Sequence, residues 1–190
     1  MAFTKKRTLS LKQLLVVFFA VIFSVSNSFA QVKYERKHLS FKVKRIVHKL
    51  EKYDVVTGRR IGKSAIKSEQ YRLFEKLESK ATESELYELT NHSSPVVRAY
   101  AFYGLANEKS VKMLAVIEKN QNDTVAIIQQ FGCIKAGNTV IGFMAASVNG
   151  YVERHEIELT AAQKTLLEEI HNAWWKWRED MLNRDTAKDE

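Results

Sequence analysis

The stretch Asn91–Ala106, NHSSPVVRAYAFYGLA, reads as a helix buried on every side, and the rest of the chain is laid out around it. Ser94 can accept a hydrogen bond from a first-turn amide, and Pro95 suits the first helical position, where its missing N–H costs nothing. Beyond Val97 the apolar residues Ala99, Tyr100, Ala101, Phe102, Tyr103, Leu105 and Ala106 run nearly all round, broken only by Arg98 and Gly104. A helix apolar on all sides has to be covered on all sides.

Just before it, Thr82-Glu83-Ser84-Glu85 has the form of a capping box, in which the threonine hydroxyl and the glutamate carboxylate each take the other's free amide. The short helix it opens carries Leu86, Tyr87 and Leu89, and the polar Asn91-His92-Ser93 turns the chain into a helical hairpin. A similar arrangement follows: an apolar-striped segment over Ser110–Lys119, a polar turn over Asn120–Asp123, and an apolar segment from Thr124 that reads as helix. A shift of 28 residues lays Leu89 on Ile117, Val97 on Val125, Tyr100 on Ile128, Tyr103 on Phe131 and Gly104 on Gly132. Self-similarity at a fixed period marks helical arrays.

Ser94-Pro95-Val96-Val97-Arg98 followed by Ala101-Phe102-Tyr103-Gly104-Leu105 resembles a HEAT repeat of the short kind, and Gln70–Val148 is similar to small exported HEAT-repeat-like proteins of Bacteroidota. The resemblance implies an all-α fold, a short HEAT-like array of α-hairpins with flanking helices, whose exposed side binds partners. Ala126 stands in the second unit where Arg98 stands in the first, so the basic ladder of many such arrays is missing.

Around this centre, Gln31–Asp54 has Val43, Ile46, Val47 and Leu50 at helical spacing among basic residues. Val55–Lys63, with Gly58 and Gly62, reads as a loop, and Ser64–Lys80 as a helix burying Ile66, Tyr71, Phe74 and Leu77. Val140–Val148 reads as a third apolar helix ending at an Asn149-Gly150 turn. Tyr151–Leu159 then reads as extended, a β-hairpin across Asn149-Gly150 being the alternative. Thr160 with Gln163 forms a second capping box and opens a last helix to about Asn183. Its stripe is Leu167, Ile170, Trp174, Trp177 and Met181.

The first 30 residues have the form of a signal peptide: basic Lys5, Lys6, Arg7 and Lys12, the apolar run Leu14–Phe23, and small residues at Ser28 and Ala30. Cleavage there leaves a chain from Gln31. It divides into a basic helix and loop (31–67), a helical domain closed by the tryptophan helix (68–184) and a polar tail (185–190). The chain from Gln31 carries 26 basic and 22 acidic residues, net +4. Gln31–Lys67 alone holds 12 Lys/Arg against three acids, or +9, which suits an anionic partner. Cys133 is the sole cysteine, so no intramolecular disulfide can form, and its apolar surroundings suggest a buried structural thiol.

No catalytic motif emerges. The histidines at 38, 48, 92, 155 and 171 are scattered, His155-Glu156 with Glu158 lacks the i, i+4 histidine pair of a helical metal site, and Gly58–Gly62 lacks the lysine-serine of a P-loop. The candidate partner-binding residues are Arg59, Arg60 and Lys63, with Trp175 and Arg178 on the last helix. The function expected is non-catalytic binding or scaffolding in the periplasm or cell envelope, without cofactor or metal. The partner is another envelope protein or an anionic surface, nucleic acid not being expected. The alternative is a protein anchored by an uncleaved N-terminal segment, its basic region on lipid.

Overall fold

The computed structural model describes residues 38–154 and 156–186, all within one unit, Tyr34–Glu190. The signal-peptide reading, His155 and the end of the tail lie outside the described residues. The elements run α1 (Phe41–Leu50), β1 (Val55–Ile61), β2 (Ile66–Lys67), α2 (Glu69–Glu78), α3 (Glu83–Leu89), α4 (Pro95–Asn107), α5 (Lys112–Asn120), β3 (Ala126–Gly132), β4 (Ile134–Thr139), α6 (Val140–Glu153) and α7 (Ala161–Thr186).

Helix α4 is buried as its sequence requires. Val96, Val97, Ala99, Tyr100, Ala101, Phe102, Leu105 and Ala106 are all inaccessible, and Ser94 caps the helix by accepting from the Val97 amide. Helix α3 comes close to α4 at Gly104, where a Cβ would lie 3.1 Å from Leu86 Cδ1, a tight contact. The capping box at Thr82 and Glu85 forms, and Glu85 also accepts from the Ser40 amide at 2.7 Å, joining the starts of α1 and α3. Arg98 grips Asp123 with Nε at 2.7 Å and Nη2 at 3.0 Å, while its Nη1 donates to His92 O and Ser93 O. A half-buried fork of this kind fixes two loops at once. Phe74 of α2 stacks on both Tyr100 and Tyr103, with centroids 5.1 and 5.2 Å apart.

The all-α expectation is overturned, and with it the HEAT-like hairpin array. A four-stranded mixed sheet of order β2-β1-β3-β4 lies against the helices, making an α/β fold. The supposed loop Val55–Lys63 is β1, whose β-branched Val55, Val56 and Thr57 suit a pleated, covered surface. The supposed second repeat helix is the hairpin β3–β4, so the 28-residue match compares α4 with strands and reflects apolar composition alone. Helix α2 starts at Glu69 and not near Ser64, because Ala65 (φ +48°) closes the β1–β2 turn and Ser68 is the N-cap. Helix α1 starts at Phe41, capped by Ser40. Asn149-Gly150 lies inside α6, which runs to Glu153, so neither a turn nor a hairpin forms there. On α7, Leu167 and Ile170 are buried, Trp174 and Trp177 pack at Gly142 and Gly137, and Met181 is exposed, so the expected stripe docks up to Trp177.

Two helix–hairpin–helix units, α1-β1-β2-α2 and α5-β3-β4-α6, flank the α3–α4 hairpin, and the parallel pairing of β1 with β3 sets them side by side. Strand β2 is only two residues long, so the β1 edge is open at Thr57. Tyr100 fills the gap. Its hydroxyl accepts from Thr57 N–H at 2.8 Å and donates to Thr57 C=O at 3.0 Å, as a neighbouring strand would, while Gln70 Nε2 donates to Val55 C=O. Burial pushes the Tyr100 phenol up to about 12, against its hydrogen bonds with Thr57.

Tyr100→Phe leaves both polar groups of Thr57 without that partner in a buried site, and should cost about 2–4 kcal/mol in a denaturant melt. The raised phenol also sets a sign: the unfolded chain loses this proton near pH 10 and the folded one about two units higher, so stability falls as pH rises from about 10 toward 12. The same melts across that range should show a shallower fall for Tyr100→Phe.

Candidate functional site

Both β-hairpins end on the same side of the sheet, and their turns are joined: Gly62 N–H donates to Gly132 C=O at 2.9 Å. Gly62 (φ +72°) and Gly132 (φ +58°) both take a left-handed backbone, which glycine does without steric cost. Gly132 and Cys133 form a two-residue turn between the paired Phe131 and Ile134, a loop length and glycine position that favour a tight hairpin.

The register fixes what this end presents. Arg60 pairs with Lys67 and Phe131 with Ile134, and directly paired residues share a face. Val56 pairs with Gln129 and so shares the face of Gln129 and Phe131, and past Thr57 the β1–β3 register slips, Ile61 pairing with Gly132. A Cβ at Gly58 would stand 2.8 Å from Phe131 Cδ1, so the ring lies directly over that glycine, with Phe143 of α6 stacked beyond it at 6.5 Å. Lys67 thus stands beside Arg60, and Ile134 beside Phe131. Phe131 is 40% exposed and Ile134 74%. On the opposite face Ile61 pairs with Ile66, which is 65% exposed.

The electrostatics are one-sided. Val55–Ser68 contains Arg59, Arg60, Lys63 and Lys67, and Ala126–Thr139 contains Lys135, with no aspartate or glutamate in either hairpin. Arg59 reaches Glu75 of α2 at 3.3 Å and lies over the Tyr71 ring. Both partners of that ion pair are well exposed, so it holds the charge weakly. Arg60 donates to Ala65 C=O within its own turn. Among the described residues, Arg60, Lys63, Lys67 and Lys135 meet no carboxylate. An open cleft of about 410 Å³ between the end of α1 and α2 adds Lys49, Lys52, Arg72 and Lys76 around Tyr53 and Leu73, with Glu69 bound to Arg72.

The residues singled out from the sequence fall into two groups. Arg59, Arg60 and Lys63 belong to the joined hairpin end, on the β2 side of the sheet. Trp175 and Arg178 lie on α7, which meets the sheet at the other edge, where Trp177 packs over Gly137 of β4. Trp175 is 48% exposed, its indole N–H donates to His171 Nε2 at 2.8 Å, and Arg178 covers its ring at 5.1 Å. Cys133, expected to be buried in a helix, is exposed at the hairpin turn. Phe131, Ile134 and Lys135 were missed, Lys67 entered only as the end of the basic stretch, and Ile66, expected to be buried on a helix, is exposed on β2. The signal available was Gly132-Cys133, a glycine-first two-residue turn between short segments carrying Ile127, Ile128, Phe131 and Ile134.

Two scattered histidines do meet. Glu51 at the end of α1 bonds His48 Nδ1 at 2.7 Å and lies 3.7 Å from Nε2 of the buried His92. Ser94 N–H donates to His92 Nδ1, so neutral His92 carries its proton on Nε2, toward Glu51. The cluster ties α1 to the α3–α4 turn. Among the described residues, no three His, Cys, Asp or Glu are grouped to hold a metal ion, and no helix is long and apolar enough to cross a membrane. Compared with protein-family models, curated proteins and solved structures, the chain matches none of them.

Because Phe131 occupies the space over Gly58, Gly58→Val should displace the ring and cost about 1–3 kcal/mol in a thermal melt. Gly62→Ala, with nothing within 4 Å of its Cβ, carries only the cost of its positive φ and should lose less.

Proposed function

We propose that this is an exported, non-catalytic binding protein of the cell envelope that engages an anionic partner through its joined hairpin end. The observation that carries this reading is the composition of the two hairpins: five cations and no carboxylate, with one exposed ion pair, Arg59–Glu75, drawing on them among the described residues. Charges left uncompensated on one rigid end concentrate positive potential there, and that potential speeds and strengthens encounter with an anionic surface. The sheet supplies the rigidity. Each hairpin runs directly into a capped helix, β2 into α2 through Ser68 and β4 into α6 through Thr139, so the end is held from both sides.

Export rests on the N-terminal sequence pattern, and it makes phospholipid headgroups, acidic glycans and envelope proteins the accessible anions. The anchored alternative uses the same surface and differs only in whether the N-terminal segment is kept. The intact mass of the chain recovered from envelope fractions decides between them: cleavage after Ala30 gives a chain from Gln31, whereas a retained N-terminus means an anchor.

The surface itself is tested by Arg60→Glu, Lys63→Glu and Lys67→Glu in one chain, on immobilised heparin as a polyanion probe. All three side chains are exposed, so the far-UV spectrum and melting temperature should be unchanged. Binding at low salt should weaken about a hundredfold, on the scale of about 1 kcal/mol per basic residue at an anionic surface. Equal retention of the two proteins would place any anion binding elsewhere on the molecule.

A further inference from the structure

We infer that the joined hairpin end is a membrane-contact wedge: it seats in the headgroup region of an anionic phospholipid bilayer, with Ile66, Phe131 and Ile134 entering the interface and Arg60, Lys63, Lys67 and Lys135 on the lipid phosphates. This rests on the anionic-partner reading above and names the partner. Cations alone would fit any polyanion; the apolar side chains beside them select among polyanions. Ile66 and Ile134 are among the most exposed large hydrophobic residues described, at 65% and 74%, and each sits next to a hairpin turn. A soluble polyanion offers such residues nothing to enter.

The geometry separates a bilayer from an acidic protein. Phe131 and Ile134 lie on one face of the sheet, whereas Ile66 pairs with Ile61, which is in register with Gly132, the residue after Phe131, and so lies on the other. A protein docking on either face would leave the other face's isoleucine in water. A bilayer interface surrounds an inserted tip and covers both. The bond from Gly62 N–H to Gly132 C=O makes the two turns one body, so both isoleucines are presented together, without the ordering cost that two independent loops would bring. The turn residues at the leading edge, Gly62, Lys63, Gly132 and Cys133, carry no carboxylate to be repelled by lipid phosphate. Basic residues flanking apolar and aromatic side chains are the composition by which interfacial elements hold anionic membranes, the aromatic ring resting at headgroup depth.

The test uses the chain as recovered from cells, with two probes. Sedimentation with vesicles of phosphatidylglycerol and phosphatidylcholine is compared with phosphatidylcholine alone, and retention on heparin is measured in parallel. Because Leu14–Phe23 is itself apolar, a local reading is added: an environment-sensitive fluorophore on Cys133, the sole cysteine, exposed at the hairpin turn. The wild type should bind the anionic vesicles and shift the Cys133 emission to the blue, and neither should occur with phosphatidylcholine alone. Ile66→Ser with Ile134→Ser, both exposed and so neutral to folding, should weaken anionic-vesicle binding at least tenfold and remove the blue shift, while heparin retention stays as in the wild type.

Three outcomes overturn the inference. If the serine variant binds anionic vesicles as well as the wild type, the contact is electrostatic only. If the wild type is held by heparin but leaves the Cys133 emission unchanged on anionic vesicles, the partner is a different polyanion and the anionic-partner reading survives alone. If the wild type is held by neither, the underlying reading fails too.

Discussion

The hydroxyl of Tyr100 meets both backbone polar groups of Thr57, and much of the molecule's architecture depends on that contact. Strand β1 has a neighbour of only two residues on one side, so its N–H and C=O groups at Thr57 face a buried space with no strand to receive them. A buried backbone group without a partner costs as much as a lost hydrogen bond, or more. The central helix supplies the partner, and in doing so joins the α3–α4 hairpin to the sheet. Phe74, stacked on Tyr100 and Tyr103, carries the same contact into α2, the helix that β2 runs into.

From that junction the placing of the hairpin end follows. With β1 held at Thr57 and paired in parallel to β3, both hairpins project their turns the same way, and the bond between Gly62 and Gly132 closes the gap between them. Glycine is needed where Phe131 lies over Gly58, since any side chain there would push the ring away from Phe143. The glycines that made Val55–Lys63 look like a loop are thus the marks of a strand with a ring laid across it and of a tight turn. The opposite end of the structure is held differently, by Arg98 forked on Asp123 and by Glu51 between His48 and His92.

At the hairpin end, charge and apolar exposure occur together with no aspartate or glutamate in either hairpin. The cleft beside α2 has cations but only Tyr53 and Leu73 for apolar lining, and Trp175 on α7 is already covered by Arg178 and bonded to His171. In the hairpins, the cations stand at the same end of the sheet as Phe131 and Ile134, and the sheet gives them a common support. That coincidence makes this end the candidate site, and a cation count along the sequence shows only half of it.

Local rules were legible in the residues themselves. Helix α4 with its Ser94 cap, the capping box of α3, the apolar helix from Val140 and the Thr160–Gln163 start of α7 all form as their residue patterns require, because capping and all-round apolarity act within a few positions. Arg59, Arg60 and Lys63 were likewise visible as a basic cluster. What the chain does between Thr124 and Thr139 was not. Ile127, Ile128, Phe131 and Ile134 suit a helix or a strand equally well by composition, and the choice is made by a partner far along the chain: β1, which lies with β3 against α4. Strand pairing is non-local, so sequence determined the helices, their caps and the basic cluster. Tertiary structure alone decided the sheet, the exposure of Cys133, and the pairing of Arg60 with Lys67 and of Phe131 with Ile134 at one end of it.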